Sequence, residues 1–279
     1  KSLKFYLFGQ FTFFLQHQKM ESYIENKKNL YALILEFLEE SEEHNDNETK
    51  NEPLQELINI IRNQQIESDV QELRQFLEII KSIGEYHHRD QQFNERINQL
   101  LLHYKDQIKQ TLSNSEIFHI FESNKKIVLF LIQKDIITIS EEIYSDIVNK
   151  IENNGNRYCH FFIPELENFV GEEKMKFVKD ELLKKDPTFF TNYEEKREEG
   201  ENDSYICSLI RQDSIEEFIE YVSRYNISPS SEISPSNFET NPFLINNKNT
   251  TLIEYSAFFG SIQIFQYLLT NEAELTPSL

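Results

Sequence analysis

The scarcity of glycine and proline is the feature of this chain that most limits its possible folds. Six glycines and seven prolines among 279 residues make up about 5% of the chain, against roughly 12% in average proteins. An all-β sandwich or barrel needs a turn about every 8–12 residues, and such turns usually contain glycine, proline, Asn or Asp. Apolar residues instead recur at helical spacing along almost the whole chain, which predicts an all-α protein.

The glycines are also too far apart to form a phosphate-binding loop. A Walker loop and a dinucleotide fingerprint each need glycines within a few residues of one another. The six positions are Gly9, Gly84, Gly155, Gly171, Gly200 and Gly260. A G-x-S-x-G elbow for a serine hydrolase is absent as well. The sequence therefore predicts no nucleotide cofactor and offers no motif for catalysis.

The charge balance restricts the partners. The chain has 28 Lys and Arg against 48 Asp and Glu, a formal net charge of −20, and no basic stripe stands out. A nucleic-acid binder needs basic groups that displace counterions from phosphates. The field of this chain repels DNA, RNA and anionic membranes, so we expect protein partners and no nucleic acid.

The first residues are unusually rich in phenylalanine. The apolar run between residues 5 and 15 is too short for a hydrocarbon core that needs about twenty residues, and no small-residue cleavage site follows it. We therefore expect no stable membrane insertion. A polar-to-amphipathic start at Met20 predicts that Met20 is the native first residue and that 1–19 is a non-native or targeting extension.

The helical pattern divides the remainder into three regions. Residues 20–113 form a helical N-terminal region that includes an acidic loop at 41–52 and a helix ended by Gly84. Residues 114–203 contain shorter helices in a degenerate helix-pair region, in which the charged segment 192–203 is expected to be exposed. Residues 204–279 are predicted to hold helix pairs and a long loop at 226–250. Capping boxes are predicted at Ser68/Gln71, Ser214/Glu217 and Thr251/Glu254.

The clearest local signal is the segment T-L-I-E-Y-S-A-F-F-G-S-I-Q-I-F-Q-Y-L-L at 251–269, which resembles an ankyrin repeat. The matching positions are Thr251, Ile253, Ser256, Ala257, Gly260, Ile264, Phe265, Leu268 and Leu269. The resemblance implies two antiparallel helices, with Gly260 at positive φ between them. Small side chains at Ser256 and Ala257 would let helices approach closely, and Ile264, Leu268 and Leu269 would fill the core between repeats.

The segment also departs from the family pattern. Leu252 replaces the usual proline and Glu254 replaces the histidine, so Glu254 is expected to bond back to the Thr251 amide. Weaker echoes of the repeat occur at 123–135 and 205–222. In the second of these, Asp213 stands where Gly260 stands later, 47 residues away, against a usual repeat of about 33 residues.

The combination resembles a divergent ankyrin family of single-celled eukaryotes, in which a helical domain of unknown function precedes or overlaps the repeats. Stable arrays need about three or more repeats with a polar cap. Either the helical region caps this array, or the chain is a truncated member. The fold class expected is therefore all-α, a helical N-terminal region followed by a short ankyrin-like α-solenoid.

The expected function is non-catalytic protein–protein recognition. Insertions in solenoids lie on one face and often bind there. Residues 236–250 are therefore the candidate contact loop, and the residues expected to bind a partner are Asn237, Phe238, Phe243, Asn246 and Asn249.

Two alternatives remain open. The first is a structural protein that oligomerises through the apolar stripe Phe93–Leu112. The second is an enzyme without a recognisable motif, which would need buried polar groups that converge between helices.

Candidate sites for metal or nucleophilic chemistry are weak. His87 and His88, with Asp90 and His103, match no zinc spacing and are typical of a solvated turn. Cys159 and His160 are neighbours on a predicted helix and do not face each other. The two cysteines, Cys159 and Cys207, form no disulfide framework, which favours a reducing compartment and a cytoplasmic location. We expect no catalytic residue, metal or cofactor.

Overall fold

The architecture is taken from a computed structural model of the chain. The predictions for 1–19 and Met20, for the acidic loop 41–52, for Ser68 and for His87 and His88 lie outside the described residues. The structure describes residues 28–38, 57–59, 61–62, 69–86, 90–150, 158–247 and 249–275.

Every regular element in those described ranges is helical, which confirms the all-α class. The strand-like contact found there is an isolated antiparallel bridge between Glu232 and Thr251. Residues 28–38, 57–59 and 61–62 are helical, and the later helices follow. They are α1 (Val70–Tyr86), α2 (Gln91–His103), α3 (Lys105–Thr111), α4 (Asn114–Phe121), α5 (Lys125–Gln133), α6 (Glu141–Asn149), α7 (Tyr158–Phe161), α8 (Ile163–Val170), α9 (Glu172–Lys185), α10 (Tyr193–Glu199), α11 (Tyr205–Arg211), α12 (Ile215–Tyr225), α13 (Pro242–Asn246), α14 (Leu252–Phe259) and α15 (Ile262–Thr270).

The chain divides into two compact units, and the first ends at Leu112. Within it α1 packs against α2. The Asp69 carboxylate accepts from the Gln71 amide at 2.7 Å at the start of α1. Gly84 does not end this helix as predicted, because it has no positive φ and lies buried within α1. A glycine ends a helix where its own backbone adopts a positive φ, and Gly84 does not adopt one.

The apolar stripe on α2 and α3 is already covered within the chain. All seven of its residues are buried: Phe93, Ile97, Leu100, Leu101, Tyr104, Ile108 and Leu112. Ring packing between Phe76 and Tyr104, with centroids 5.3 Å apart, shows one of the contacts that cover it. These seven side chains are therefore not available to join two copies of the chain, which argues against oligomerisation through them.

The second unit runs from Ser113 to the C-terminus. Its first helices pack in succession, α4 on α5 and α6, α6 on α7, and α8 on α9. Polar caps start several of them: Ser113 and Glu116 form a capping box at α4, and the Ser140 hydroxyl accepts from the Ile143 amide. Residues 114–203 and 204–279 thus belong to one compact unit.

Residues 193–199 of the charged segment 192–203 form α10. Its four glutamates are exposed, as predicted, whereas Tyr193 and Arg197 are buried, which corrects the prediction for these two. Arg197 on α10 is 2% exposed and pairs with Glu165 at 2.7 Å and with Glu194 at 3.0 Å. The Tyr193 hydroxyl donates to the His160 carbonyl at 2.7 Å. Burial of the aromatic and arginine side chains places one face of this acidic helix in the core.

Two helical hairpins follow, α11–α12 and α14–α15. Their first helices contact each other, and so do their second helices. Each hairpin turns at a left-handed residue, Asp213 with φ 50° and Gly260 with φ 68°. The amide after each turn donates to a carbonyl in the first helix, Ser214 to Leu209 at 3.0 Å and Ser261 to Ser256 at 2.9 Å. The two hairpins therefore share one turn geometry.

The Asp213 carboxylate links the two hairpins. Its Oδ1 accepts from the Ile264 amide at 3.0 Å and its Oδ2 from the Gln263 amide at 3.1 Å. These amides begin α15, whose own N-cap residue, Ser261, makes no side-chain cap. The carboxylate thus satisfies donors that a helix start leaves open.

Candidate functional site

The predicted capping box at the start of α14 is confirmed. The Thr251 hydroxyl accepts from the Glu254 amide at 3.3 Å, and Glu254 Oε2 accepts from the Thr251 amide at 2.8 Å. The box predicted at Ser214 and Glu217 is wrong, because the Ser214 side chain accepts no bond from the first turn of α12. Ser214 has ψ 77°, whereas Thr251 has the extended ψ 164° of a bonding N-cap.

The other residues of the ankyrin-like motif divide between core and surface. Gly260 adopts the predicted positive φ, and Ile264 and Leu268 are buried. Ala257 and Leu269 are exposed, so the packing roles expected for them are corrected. Helical spacing places both residues on sides of α14 and α15 that the first hairpin does not cover.

The candidate contact loop is largely built into the fold. We call residues 233–241 the strap. Asn237 Oδ1 lies 2.8 Å from His160 Nδ1, and Phe238 is buried. The Phe238 ring stacks on Phe189 with centroids 5.4 Å apart. The expectation that Phe238 contacts a partner is therefore wrong, because its ring is already packed in the chain's own aromatic cluster.

Three of the predicted contact residues do remain on the surface. Phe243, Asn246 and Asn249 are exposed, and the first two lie on α13. Their neighbours on α13, Pro242 and Leu244, are buried. The candidate loop thus exposes one short helical face and Asn249, whereas most of residues 236–241 are buried.

A buried lysine holds the strap in place. Lys125 is 0% exposed, and its ammonium donates to the carbonyls of Glu239 at 3.0 Å and Asn237 at 3.3 Å. The Thr240 amide donates to the Gly200 carbonyl at 3.0 Å. These bonds fix the strap to α5 and to the end of α10.

A polar cavity of about 40 Å³ opens between the strap, α13 and α14, enough for a few water molecules. Polar lining comes from Asn202, Glu239, Thr250 and Tyr255 among others, and apolar lining from Leu244 and its neighbours. The Asn202 amide donates to the Ser234 carbonyl at 2.8 Å and closes one side.

Glu239 is the one charged residue among the described residues of the cavity lining. Its Oε1 accepts from the amides of Thr240 at 3.0 Å and Asn241 at 2.8 Å. Burial and nearby Glu201 raise the pKa of this carboxyl to about 7, although those amides and Lys125 act to lower it. The group can therefore gain or lose a proton near neutral pH.

Other buried polar groups converge beside the cavity. Arg211 donates to the Tyr255 hydroxyl at 3.0 Å and to the Asn202 carbonyl at 2.7 Å, and it pairs with Glu201. Burial raises the pKa of the Cys207 thiol to about 11 and raises the pKa of Tyr255 as well. Both groups stay protonated at neutral pH, so neither is an activated nucleophile.

The weaker candidate sites gain no support. In the described part of the chain, no group of three or more His, Cys, Asp or Glu is placed to hold a metal ion. His103 is exposed on α2, and Cys159 is buried. None of the helices that the structure describes has the length and apolar character needed to span a bilayer.

Comparison with known proteins adds no relative: no family model, curated protein or solved structure matches this chain. The geometry and the sequence therefore carry the functional argument.

The sequence pattern did not predict that Glu239 and Tyr255 are buried beside a cavity, or that Asp213 caps a helix. Glu239 is one of three charged residues between 226 and 250, with Glu232 and Lys248. An isolated acid in an uncharged segment is a weak signal for burial. Its neighbours are Lys125 on α5, more than a hundred residues earlier, and Glu201 after α10, about forty residues earlier. Hydrophobic periodicity carries no information about such distant contacts.

Proposed function

We propose that this chain is a non-catalytic protein–protein recognition module, built as a divergent ankyrin-like array of helix pairs. The observation that carries the proposal is an uncharged, aromatic surface on a strongly acidic chain. Residues 241–271 include two charged residues, Lys248 and Glu254, although charged residues make up 27% of the sequence. Depletion of charge with enrichment of aromatic residues is characteristic of interface cores.

The apolar side chains of this segment do not all enter the core. We define the apolar face as Phe243, Phe258, Ile262, Phe265 and Leu269. Phe243 is 59% exposed, Ile262 64% and Leu269 47%. Phe243 stacks on Phe258 with centroids 5.5 Å apart and rings nearly parallel. Ile262, Phe265 and Leu269 share one side of α15 by helical spacing.

The charge of the chain indicates what kind of partner fits. A net charge of −20 attracts cationic segments and repels acidic ones over about a Debye length. An apolar patch adds affinity where a partner buries it. We therefore propose a partner segment with apolar side chains flanked by lysine or arginine. The two buried free thiols support a cytoplasmic location for such binding.

The protonation states of the buried polar groups favour recognition over catalysis. A motif-free enzyme would need converging polar groups, and Glu239, Tyr255, Arg211 and Cys207 do converge. Their protonated thiol and phenol nevertheless supply no nucleophile at neutral pH. Glu239 alone is poised to exchange a proton.

The proposal is tested with a double variant, Ile262→Ser with Leu269→Ser. Partners captured by the full chain are identified by mass spectrometry, and the Kd of each purified partner is measured by calorimetry. We expect the double variant to weaken binding at least tenfold, because both side chains are exposed and contribute little to the fold. Salt should reduce the on-rate, since the partner is basic.

The matched control is Phe177→Ser on α9, where the ring is 73% exposed and lies outside the apolar face. This variant should bind as the wild type does. Equal Kd values for the wild type and the double variant would refute the proposal. So would a concentration-dependent homodimer that the double variant abolishes, because the face would then join two copies.

A further inference from the structure

An incompletely paired carboxylate lies against the polar cavity. Glu239 is 6% exposed, and its Oε2 has no hydrogen-bond partner among the described residues, whereas Oε1 has two. The Thr250 hydroxyl, also in the lining, is buried without a partner there. Buried polar atoms in native proteins are nearly always paired, so these two oxygens point to an absent hydrogen-bond donor.

The rest of the lining fits a positively charged donor with a short apolar stem. Among the lining residues that the structure describes, Glu239 is the one charged side chain, and it contributes a negative charge. Ile233, Leu244 and Ile245 supply apolar wall for methylene groups. An ammonium group has three donors and no acceptor, and its bonds to a carboxylate are among the stronger hydrogen bonds in proteins.

We propose that the polar cavity binds an alkylammonium group, with Glu239 Oε2 and the Thr250 hydroxyl as its acceptors. The group is either the end of a lysine side chain or a small free amine. A cavity of about 40 Å³ accommodates a group of a few heavy atoms and excludes nucleotides and sugars by size.

Three cations that the structure describes lie near the cavity, and two of them already have other partners. Arg211 pairs with Glu201, and Lys125 donates to two strap carbonyls. The third, Lys126, interacts electrostatically with Glu201 and Glu239, but Glu239 Oε2 accepts no hydrogen bond from it. None of these three lines the cavity, so Oε2 remains available to a ligand.

The test is a titration of the full chain with n-butylamine at pH 8, followed by ligand-detected saturation-transfer NMR. We expect saturable binding, and binding of 1-butanol at least fivefold weaker, because the alcohol has the same stem and no charge. Glu239→Gln should weaken butylamine binding at least fivefold, since a side-chain amide keeps one carbonyl oxygen for the strap amides and removes the charge.

A second pair of probes separates the two sources of ammonium. N-acetyl-lysine amide and N-acetyl-norleucine amide differ in the charged end of the side chain. Preference for the lysine compound assigns the cavity to a protein ligand, and binding of butylamine alone assigns it to a free amine. Both results support the ammonium site.

Two controls distinguish a loss of binding from unfolding and from a change in net charge. Glu216→Gln removes one exposed carboxylate far from the lining and should leave butylamine affinity unchanged, and circular dichroism verifies that each variant is folded. Equal binding of butylamine and butanol, no saturable binding, or wild-type affinity in folded Glu239→Gln would overturn the proposal. The apolar face takes no part in these measurements, so failure here leaves the recognition proposal standing.

Discussion

At the scale of single residues, two carboxylates take part in contacts that set local geometry. Asp213 replaces the glycine expected at a left-handed turn and uses its carboxylate to bond two amides of α15. Aspartate tolerates this conformation better than most residues because its short polar side chain bonds locally. One residue thus ends one hairpin and caps a helix of the next.

We predict that Asp213→Gly destabilises the chain by roughly 0.5–2 kcal/mol, the usual range for a lost helix cap. Glycine relieves the backbone at φ 50°, so the measured loss is a lower bound on the contribution of the cap. Urea unfolding followed by circular dichroism measures it, with Asp213→Asn as an intermediate control that keeps one acceptor oxygen. A glycine variant as stable as the wild type would show that the two carboxylate bonds add nothing beyond what the relieved backbone returns.

Glu239 is the second such residue, and its pKa predicts a pH dependence of stability. The carboxyl has a pKa of about 7 when folded and an ordinary value of 4.5. The folded state therefore binds more protons between these values, and stability from this group is lost as pH rises through 7. Its surroundings include Glu201, Lys125 and Lys126.

We predict that Glu239→Gln gains stability relative to the wild type as pH rises from 5.5 to 8, by on the order of 2 kcal/mol. The amide carries no charge to desolvate at either pH. Chemical unfolding at both values measures the difference, and Glu216→Gln, which removes an exposed charge, should show little change. A pH-independent difference for Glu239→Gln would mean that the buried carboxyl does not titrate in this range.

At the scale of elements, the turn between α14 and α15 depends on one glycine. Gly260 has φ 68°, and an added Cβ would meet no atom within 4 Å. A side chain at position 260 would therefore destabilise the turn through backbone strain and not through a steric clash. The neighbouring Thr251–Glu254 box starts the same hairpin, so both ends of α14 are specified locally.

Gly260→Val should lower the free energy of unfolding by roughly 1–2 kcal/mol, because a β-branched residue resists the left-handed region. Gly260→Asn is the matched control and should cost clearly less, since asparagine visits that region more readily. The midpoint of urea unfolding measures both. Equal losses in the two variants would place the cause in something other than backbone strain.

At the scale of the whole molecule, the strap ties the helix pairs to the helices before them. Lys125 holds its carbonyls, Gly200 bonds Thr240, and Phe238 enters the cluster of Phe189 and Tyr193. The sequence divides the chain after residue 203, whereas residues from Ser113 onward form one compact unit. A cut at 203 would leave the strap without its anchors.

We predict that a fragment from Ser113 to Leu279 unfolds cooperatively with a helical circular dichroism spectrum. A fragment from Ser204 to Leu279 should show weaker helicity and no sharp transition, because it keeps the strap and loses Lys125, Phe189 and Tyr193. Thermal melts of both fragments test this. Cooperative melting of the shorter fragment would contradict the role assigned to the strap.

The sequence by itself determined the structural features that depend on residues close to one another along the chain. The helical class follows from apolar periodicity, and the Thr251–Glu254 cap and the Gly260 turn follow from short-range bonds and backbone sterics. The predictions for Gly84 and for the buried side of α10 are wrong because burial, rather than local propensity, decides the environment of these residues.

Only the tertiary structure decided which polar groups meet. Phe238 and Glu239 stand in a segment typical of a surface loop, yet Lys125, more than a hundred residues earlier, holds that segment inside. Sequence periodicity describes one element at a time, whereas the desolvation of Glu239 and the cavity beside it arise from elements brought together by burial of apolar surface.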